Sequence, residues 1–115
     1  MTPDRAKVIA DCLFAFTHPA RLRMVQVLAG GELSAGGWAA SSRVSECSLT
    51  QHAIILTHSG AVTRRRAGRF RLYSLVNSHV EDGVFTLAAH GVMFTMRLSS
   101  ADPEVPAKKA TKRKK

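Results

Sequence analysis

Cysteine, aromatic and acidic residues are all scarce in this 115-residue chain, and each scarcity closes off a class of function. Two cysteines, Cys12 and Cys47, are too few and too far apart for a disulfide framework, so reduced thiols are the expectation. Eight carboxylates are scattered, no phosphate-binding glycine loop is present, and serine, histidine and aspartate form no readable catalytic constellation. An enzyme is therefore not expected, nor a required cofactor. No apolar run approaches the ~20 residues needed to span a bilayer, and no apolar stretch is followed by a small-residue cleavage site. These absences predict a cytoplasmic protein without a membrane partner. A chain this short makes one small domain, with a limited core unless it oligomerises.

What the sequence does have is positive charge, unevenly spread. Lysine and arginine number 17 and the net charge is +9. Six of those basic residues (Lys108, Lys109, Lys112, Arg113, Lys114 and Lys115) fall in the last eleven positions with no acid among them. Such a segment cannot bury apolar surface, so residues 101–115 are expected to be a disordered basic tail that adds salt-dependent affinity for a polyanion. Before the tail, Lys7 is the only lysine, and five of ten arginines lie between residues 64 and 71. Arginine forks suit phosphate and guanine, and this cluster is local rather than compositional.

The apolar pattern predicts a helix over 4–17 with Ile9, Leu13 and Phe16 at helical spacing and Ala6 and Cys12 beside them. His18-Pro19 breaks it, and Pro19 suits the first turn of a second helix through Ala29, with Leu22, Val25 and Leu28 inward. Ser34 can cap a third, short helix containing Trp38, weakened by Gly36 and Gly37. Ser45 or Cys47 starts a fourth that runs to Ser59, with Leu49, Ala53 and Leu56 on its inner face, and Gly60 stops it. Residues 61–66 and 69–75 alternate around Ala67-Gly68, a hairpin signal. From Ser78 onward, Val80, Val84, Leu87, Gly91 and Phe94 are spaced four, three, four and three, which predicts a last helix able to pair with another. The architecture expected is mainly α with a small β-hairpin wing: a winged helix-turn-helix over residues 1–100, dimerising through its first and last helices.

In such a fold the helix after the turn lies in the major groove, with its N-terminal part facing the base edges. Arg43, Glu46, Ser48, Thr50, Gln51 and His52 are the candidates for this contact. Gln51 is the best base reader, because its amide can pair with adenine in two places, while Ser48 and Thr50 suit phosphates. His52 equally suits a place behind the helix. On the wing, Arg64, Arg65, Arg66, Arg69 and Arg71 alternate in direction, so two or three can reach one groove and the rest flank it or pair with acids. Of these, Arg64, Arg65, Arg66 and Arg69 are the candidates for DNA contact.

Three segments carry a family resemblance. His18-Pro19-Ala20-Arg21-Leu22-Arg23 with Leu28-Ala-Gly-Gly-Glu32-Leu33 is the first. The second is Val44-Ser45, Thr50-Gln51-His52, Leu56 and Gly60-Ala61-Val62; the third is Arg65-Arg66-Ala67-Gly68-Arg69 with Tyr73-Ser74-Leu75. In order and spacing they resemble the ArsR/SmtB family of bacterial winged-helix repressors over roughly residues 10–92. The resemblance implies a homodimer that sits on a partly palindromic double-stranded DNA operator and leaves when an effector binds. Gly36-Gly37 and Ala53-Ile54 depart from the family's pattern, and an exposed Ile54 would be odd.

The resemblance also frames the effector. The family's cysteine-pair metal site has no thiol here, since Ser34-Ala35-Gly36 follows Glu32-Leu33. A second family site, on the last helix, finds only its two histidines, His79 and His90, without the flanking carboxylate. That makes a poor zinc site, and a softer or nickel-type transition metal is the metal alternative. The thiol alternative is Cys47, at the start of the recognition helix, where the helix dipole favours a thiolate; Cys12 is the second thiol and suits the core. Two other classes stay open: a winged-helix protein-interaction module, and a non-specific basic DNA-binding protein led by its tail.

Overall fold

A computed structural model describes residues 1–98, so the expected basic tail at 101–115 lies outside the described residues. Four helices come first: α1 (Pro3–Phe14), α2 (Pro19–Leu28), α3 (Ala35–Ser42) and α4 (Glu46–His58). Each begins where a side chain can accept from an otherwise unpaired backbone N–H. Thr2 Oγ1 accepts from the N–H of Arg5, His18 Nδ1 from Ala20, Ser34 Oγ from Gly37 and Ser45 Oγ from Ser48, all at 3.1 Å. Pro3 and Pro19 occupy first turns, where no N–H is needed.

A two-residue strand β1 (Leu33–Ser34) precedes α3, and the hairpin β2 (Val62–Ala67) and β3 (Phe70–Leu75) follows α4. The three form one antiparallel sheet in the order β1-β3-β2, registered from Val62 opposite Leu75 to Ala67 opposite Phe70. The hairpin therefore closes through Gly68-Arg69, one residue later than the expected tip, with Gly68 in the left-handed region at φ +63°. Met24, Val25 and Leu28 of α2, Trp38 of α3, Leu49, Ala53 and Leu56 of α4, and Tyr73 of β3 are buried together. Trp38 also satisfies its indole N–H on the carbonyl of Met24 at 2.9 Å. α1 departs from its expected inner stripe: Cys12 is buried, whereas Leu13 is 44% exposed.

The expected last helix is absent, and with it the expectation of dimerising through a last helix. Residues 78–97 instead form an antiparallel meander, β4 (Ser78–Glu81), β5 (Val84–Ala89) and β6 (Val92–Arg97). Its turns are Asp82-Gly83 and His90-Gly91, with φ of +55° and +76° in the first and +54° and +72° in the second. Positive φ at both central residues is the two-residue hairpin turn whose twist matches the strands, and Asp-Gly is its preferred sequence. In a helix interior the same glycines would each cost about 1 kcal/mol relative to alanine. The apolar residues satisfy both periods, because Phe85, Leu87 and Ala89 alternate as well as Val80, Val84 and Leu87 spiral. Phe85 and Leu87 are fully buried, and Phe16 meets Phe85 at a tilt and Phe94 edge-on, at ring-centre distances of 5.2 and 5.5 Å. That contact fastens the second sheet to the segment between α1 and α2.

Candidate nucleic-acid interface

The turn between α3 and α4 sets the direction of α4. Arg43 closes α3 in the left-handed region at φ +61°, and its N–H bonds back to the carbonyls of Ala39 and Ala40. Two residues later Ser45 caps α4. Since Leu49, Ala53 and Leu56 turn inward, helical geometry sends Cys47, Gln51, Ile54 and His58 to the opposite side, and all four are exposed. Glu46 and Ser48 are exposed beside them, and the carboxylate of Glu46 complements the positive end of the helix. Thr50 is half-buried and donates its hydroxyl to the carbonyl of Glu46 at 3.1 Å.

His52 faces away from this stripe. Its ring centre lies 4.6 Å from that of His18, and its Nδ1 lies 3.1 Å from Nη1 of Arg21. Burial, then the charges of His18 and Arg21, hold its pKa below the usual histidine range. Arg21 is itself buried; its Nε and Nη2 donate to the carbonyls of Ala15 and Phe14 at 2.8 and 3.2 Å, closing the end of α1. His52 thus belongs to the joint between α1, α2 and α4, and its expected place at the base edges is corrected.

The wing sorts its arginines by strand alternation. Arg64 and Arg66 share one face of β2 with Val62, and Arg71 shares the matching face of β3 with Tyr73. Arg65 points to the other face, where its Nε and Nη2 donate to the two carboxylate oxygens of Glu32 at 2.8 and 2.9 Å. Those bonds hold the Glu32 carboxyl below its ordinary range. Arg69 sits in the turn at the wing tip and is exposed. Between α4 and the wing lies a cleft of about 220 Å³ lined by Thr50, Ala53, Ile54, Thr57, His58, Arg64, Arg71 and Tyr73. The arrangement sets Arg64 and Arg71 across the cleft from Thr50, Ile54 and Thr57 of α4, with Gln51 exposed three residues before Ile54 on the same helix. Arg71 ranks above Arg65 there, and Ile54 joins the surface as a residue that polar motif reading passes over.

The candidate effector residues separate. Cys12 is buried, its thiol raised by burial first and by Asp11 second, and its Sγ donates to the carbonyl of Ser59 at 3.7 Å. Cys47 is exposed twelve residues earlier on the helix that ends beside Ser59, about 18 Å away along the axis. A disulfide needs Cα atoms about 4.4–6.8 Å apart, so the two cannot join within one subunit of this fold. His79 is exposed on β4 opposite Thr86, while His90 lies in the β5–β6 turn, about 13 Å of strand further on. His90 Nε2 lies 3.3 Å from the carbonyl of His58. The two histidines therefore do not share a helix face, which corrects the premise of the expected metal pair. Among the described residues no group of three or more His, Cys, Asp or Glu side chains is placed to hold a metal ion.

No family model matches the chain. It is 36% identical over 90 residues to a transcriptional repressor SmtB homolog of Synechocystis sp., covering 78% of this chain and 68% of that protein. It is 30% identical over 70 residues to the transcriptional repressor SdpR of Bacillus subtilis, covering 61% and 78% respectively. Among solved structures, it is similar to the homodimeric winged helix-turn-helix DNA-binding domain Mb0332 of Mycobacterium bovis, a possible ArsR-family transcriptional regulator. The TM-score is 0.59 over 65% of this chain and 72% of that one; at 22% identity this is a likeness of fold.

Proposed function

The chain belongs to the ArsR/SmtB family of winged-helix transcriptional repressors, which are not enzymes, and from that premise we propose a homodimer that binds a specific operator and is released by thiol oxidation. The observation that carries the reading is the cleft in which α4 faces Arg64 and Arg71 of the wing, with Gln51 exposed on the outward stripe of the same helix. Arg64, Arg66 and Arg71 lie on one face of the hairpin, with no ion pair to any of them among the described residues. Like charges so placed repel one another, and the phosphates of a duplex relieve that repulsion. Gln51 stands exposed on the outward side of α4, three residues before Ile54 of that cleft, where an amide can meet adenine.

Support for the dimer comes from α1. Leu13 is 44% exposed and lines one open groove with Met93 of β6, itself 73% exposed. A second copy covering that surface would bury it, with β6 serving where a last helix was expected. Support for a thiol signal is the position of Cys47 on the outward stripe, one turn before Gln51. Oxidation there by a peroxide, which gives up one oxygen to form a sulfenic acid and leaves as water or an alcohol, adds bulk against the DNA. Condensation of that sulfenic acid with a small thiol, to a mixed disulfide and water, does the same. Among the described residues no helix is long and apolar enough to cross a membrane. The operator lies in the cytoplasm on this reading, and residues 101–115 add non-specific attraction to it.

The test is binding of the purified chain to duplexes selected from a random pool at physiological salt, compared with Gln51→Ala. The variant should lose about 1–3 kcal/mol on the selected duplex and little on random DNA. Equal losses on both would remove Gln51 from base reading, and failure to select any sequence would overturn the repressor assignment.

A further inference from the structure

Ile54 is the part of the outward stripe that DNA binding by Gln51 and arginine leaves unused. It is 54% exposed, although it is a β-branched aliphatic residue in the middle of a well-packed helix. It follows Gln51 by three residues, so the two side chains are neighbours about 4.5 Å apart along the axis. Successive base pairs are about 3.4 Å apart, so a helix placing Gln51 on one pair brings Ile54 to the next pair or the one after.

Ile54 has no atom with which to hydrogen-bond a base or a phosphate. It also lines the cleft between α4 and the wing, with Thr50 and Thr57 along its own helix and Arg64 and Arg71 across from it. Phosphates drawn to those two arginines would bring the edge of the duplex over the cleft and shut water out. In the major groove the apolar group a base pair displays is the C5-methyl of thymine. We propose that Ile54 is a specificity-determining residue that reads the C5-methyl of a thymine one or two base pairs from the adenine taken by Gln51. This rests on the assignment of α4 as the base-reading helix.

The experiment uses the full chain and a duplex that it selects from a random pool. Each thymine of that duplex is replaced in turn by deoxyuridine, which removes the methyl group and nothing else. One position should weaken binding about fourfold, the effect of withdrawing one buried methyl-sized group. With Ile54→Ala that same replacement should have no effect, and Ile54→Val should keep most of the sensitivity. Alanine is a strong helix former and residue 54 is on the surface, so the variant should keep the helical circular dichroism of the parent. Binding unchanged at every deoxyuridine, or a loss that persists undiminished in Ile54→Ala, overturns the assignment to Ile54 while leaving the repressor reading intact. A pool that yields no preferred sequence overturns both.

Discussion

Arg21 Nη1 lies 3.1 Å from Nδ1 of His52, and this pairing fixes the protonation state of the histidine. A guanidinium offers only donors, so the imidazole must accept through an unprotonated Nδ1 and carry its proton on Nε2. The contact spans from α2 to α4. Arg21 also holds the carbonyls at the end of α1, so one buried cation aligns three helices.

Stability should therefore fall on acidification. The folded-state pKa of His52 is lowered, first by burial and then by the charges of His18 and Arg21, so below about pH 6.5 the unfolded chain binds the extra proton first. The contribution is full above the unfolded value and is lost as pH falls through the folded one. Thermal unfolding at pH 7.5, 6.5 and 5.5 should show a decline that His52→Gln flattens. A parent and variant with the same pH profile would rule out His52 as its source.

The two turns of the second sheet make opposite predictions from those of a helix. Gly83→Ala and Gly91→Ala should each destabilise by about 1–2 kcal/mol, because alanine resists positive φ. At Gly91 the added methyl would also sit 3.0 Å from Nη1 of Arg5, whose Nη1 donates to the carbonyl of His90 and Nη2 to that of Gly91. Were residues 78–97 helical, the same changes would instead stabilise by about 1 kcal/mol. Urea unfolding midpoints decide between the two.

Salt dependence should separate the wing arginines by face. Replacing Arg64, Arg66 or Arg71 by alanine should each reduce the slope of log affinity against log salt by about 0.9, the release of one counterion. Arg65→Ala should leave that slope nearly unchanged, since Glu32 already engages its guanidinium. Fluorescence anisotropy between 50 and 200 mM salt, conventional for such slopes, measures this, and a full unit lost with Arg65→Ala would return it to the phosphate contacts.

The thiols should react unequally. Exposed Cys47 should take a maleimide in the native protein, whereas buried Cys12 should do so only after denaturation. Mild oxidation should yield no Cys12–Cys47 bridge within a subunit, and Cys47→Ser should make DNA binding insensitive to peroxide. Peptide mapping that finds such a bridge in a folded monomer would require α1 or α4 to leave its place.

Local chemistry made much of this readable from sequence. The caps Ser34 and Ser45, the proline at 19 and the Leu49-Ala53-Leu56 spacing each act within a few residues, and the helices stand where they predict. The family resemblance lies in the same local segments, from His18 to Leu75. The turn signals Asp82-Gly83 and His90-Gly91 were equally local, but the apolar residues between them fit a helix as well as a strand. Burial of Phe85 and Leu87 against Phe16 selects the strand, and Phe16 lies about seventy residues earlier in the chain.

Sequence by itself determined which residue types are present in which local frame: a capped helix carrying Gln51, an arginine-rich hairpin and two thiols 35 positions apart. Tertiary structure decided which of those groups are available. Glu32 takes up Arg65 from 33 residues away, Arg21 draws His52 behind its helix from 31 away, and Ser59 receives Cys12 from 47 away. Availability depends on partners brought close by folding, and the spacing of residues along a chain carries no record of them.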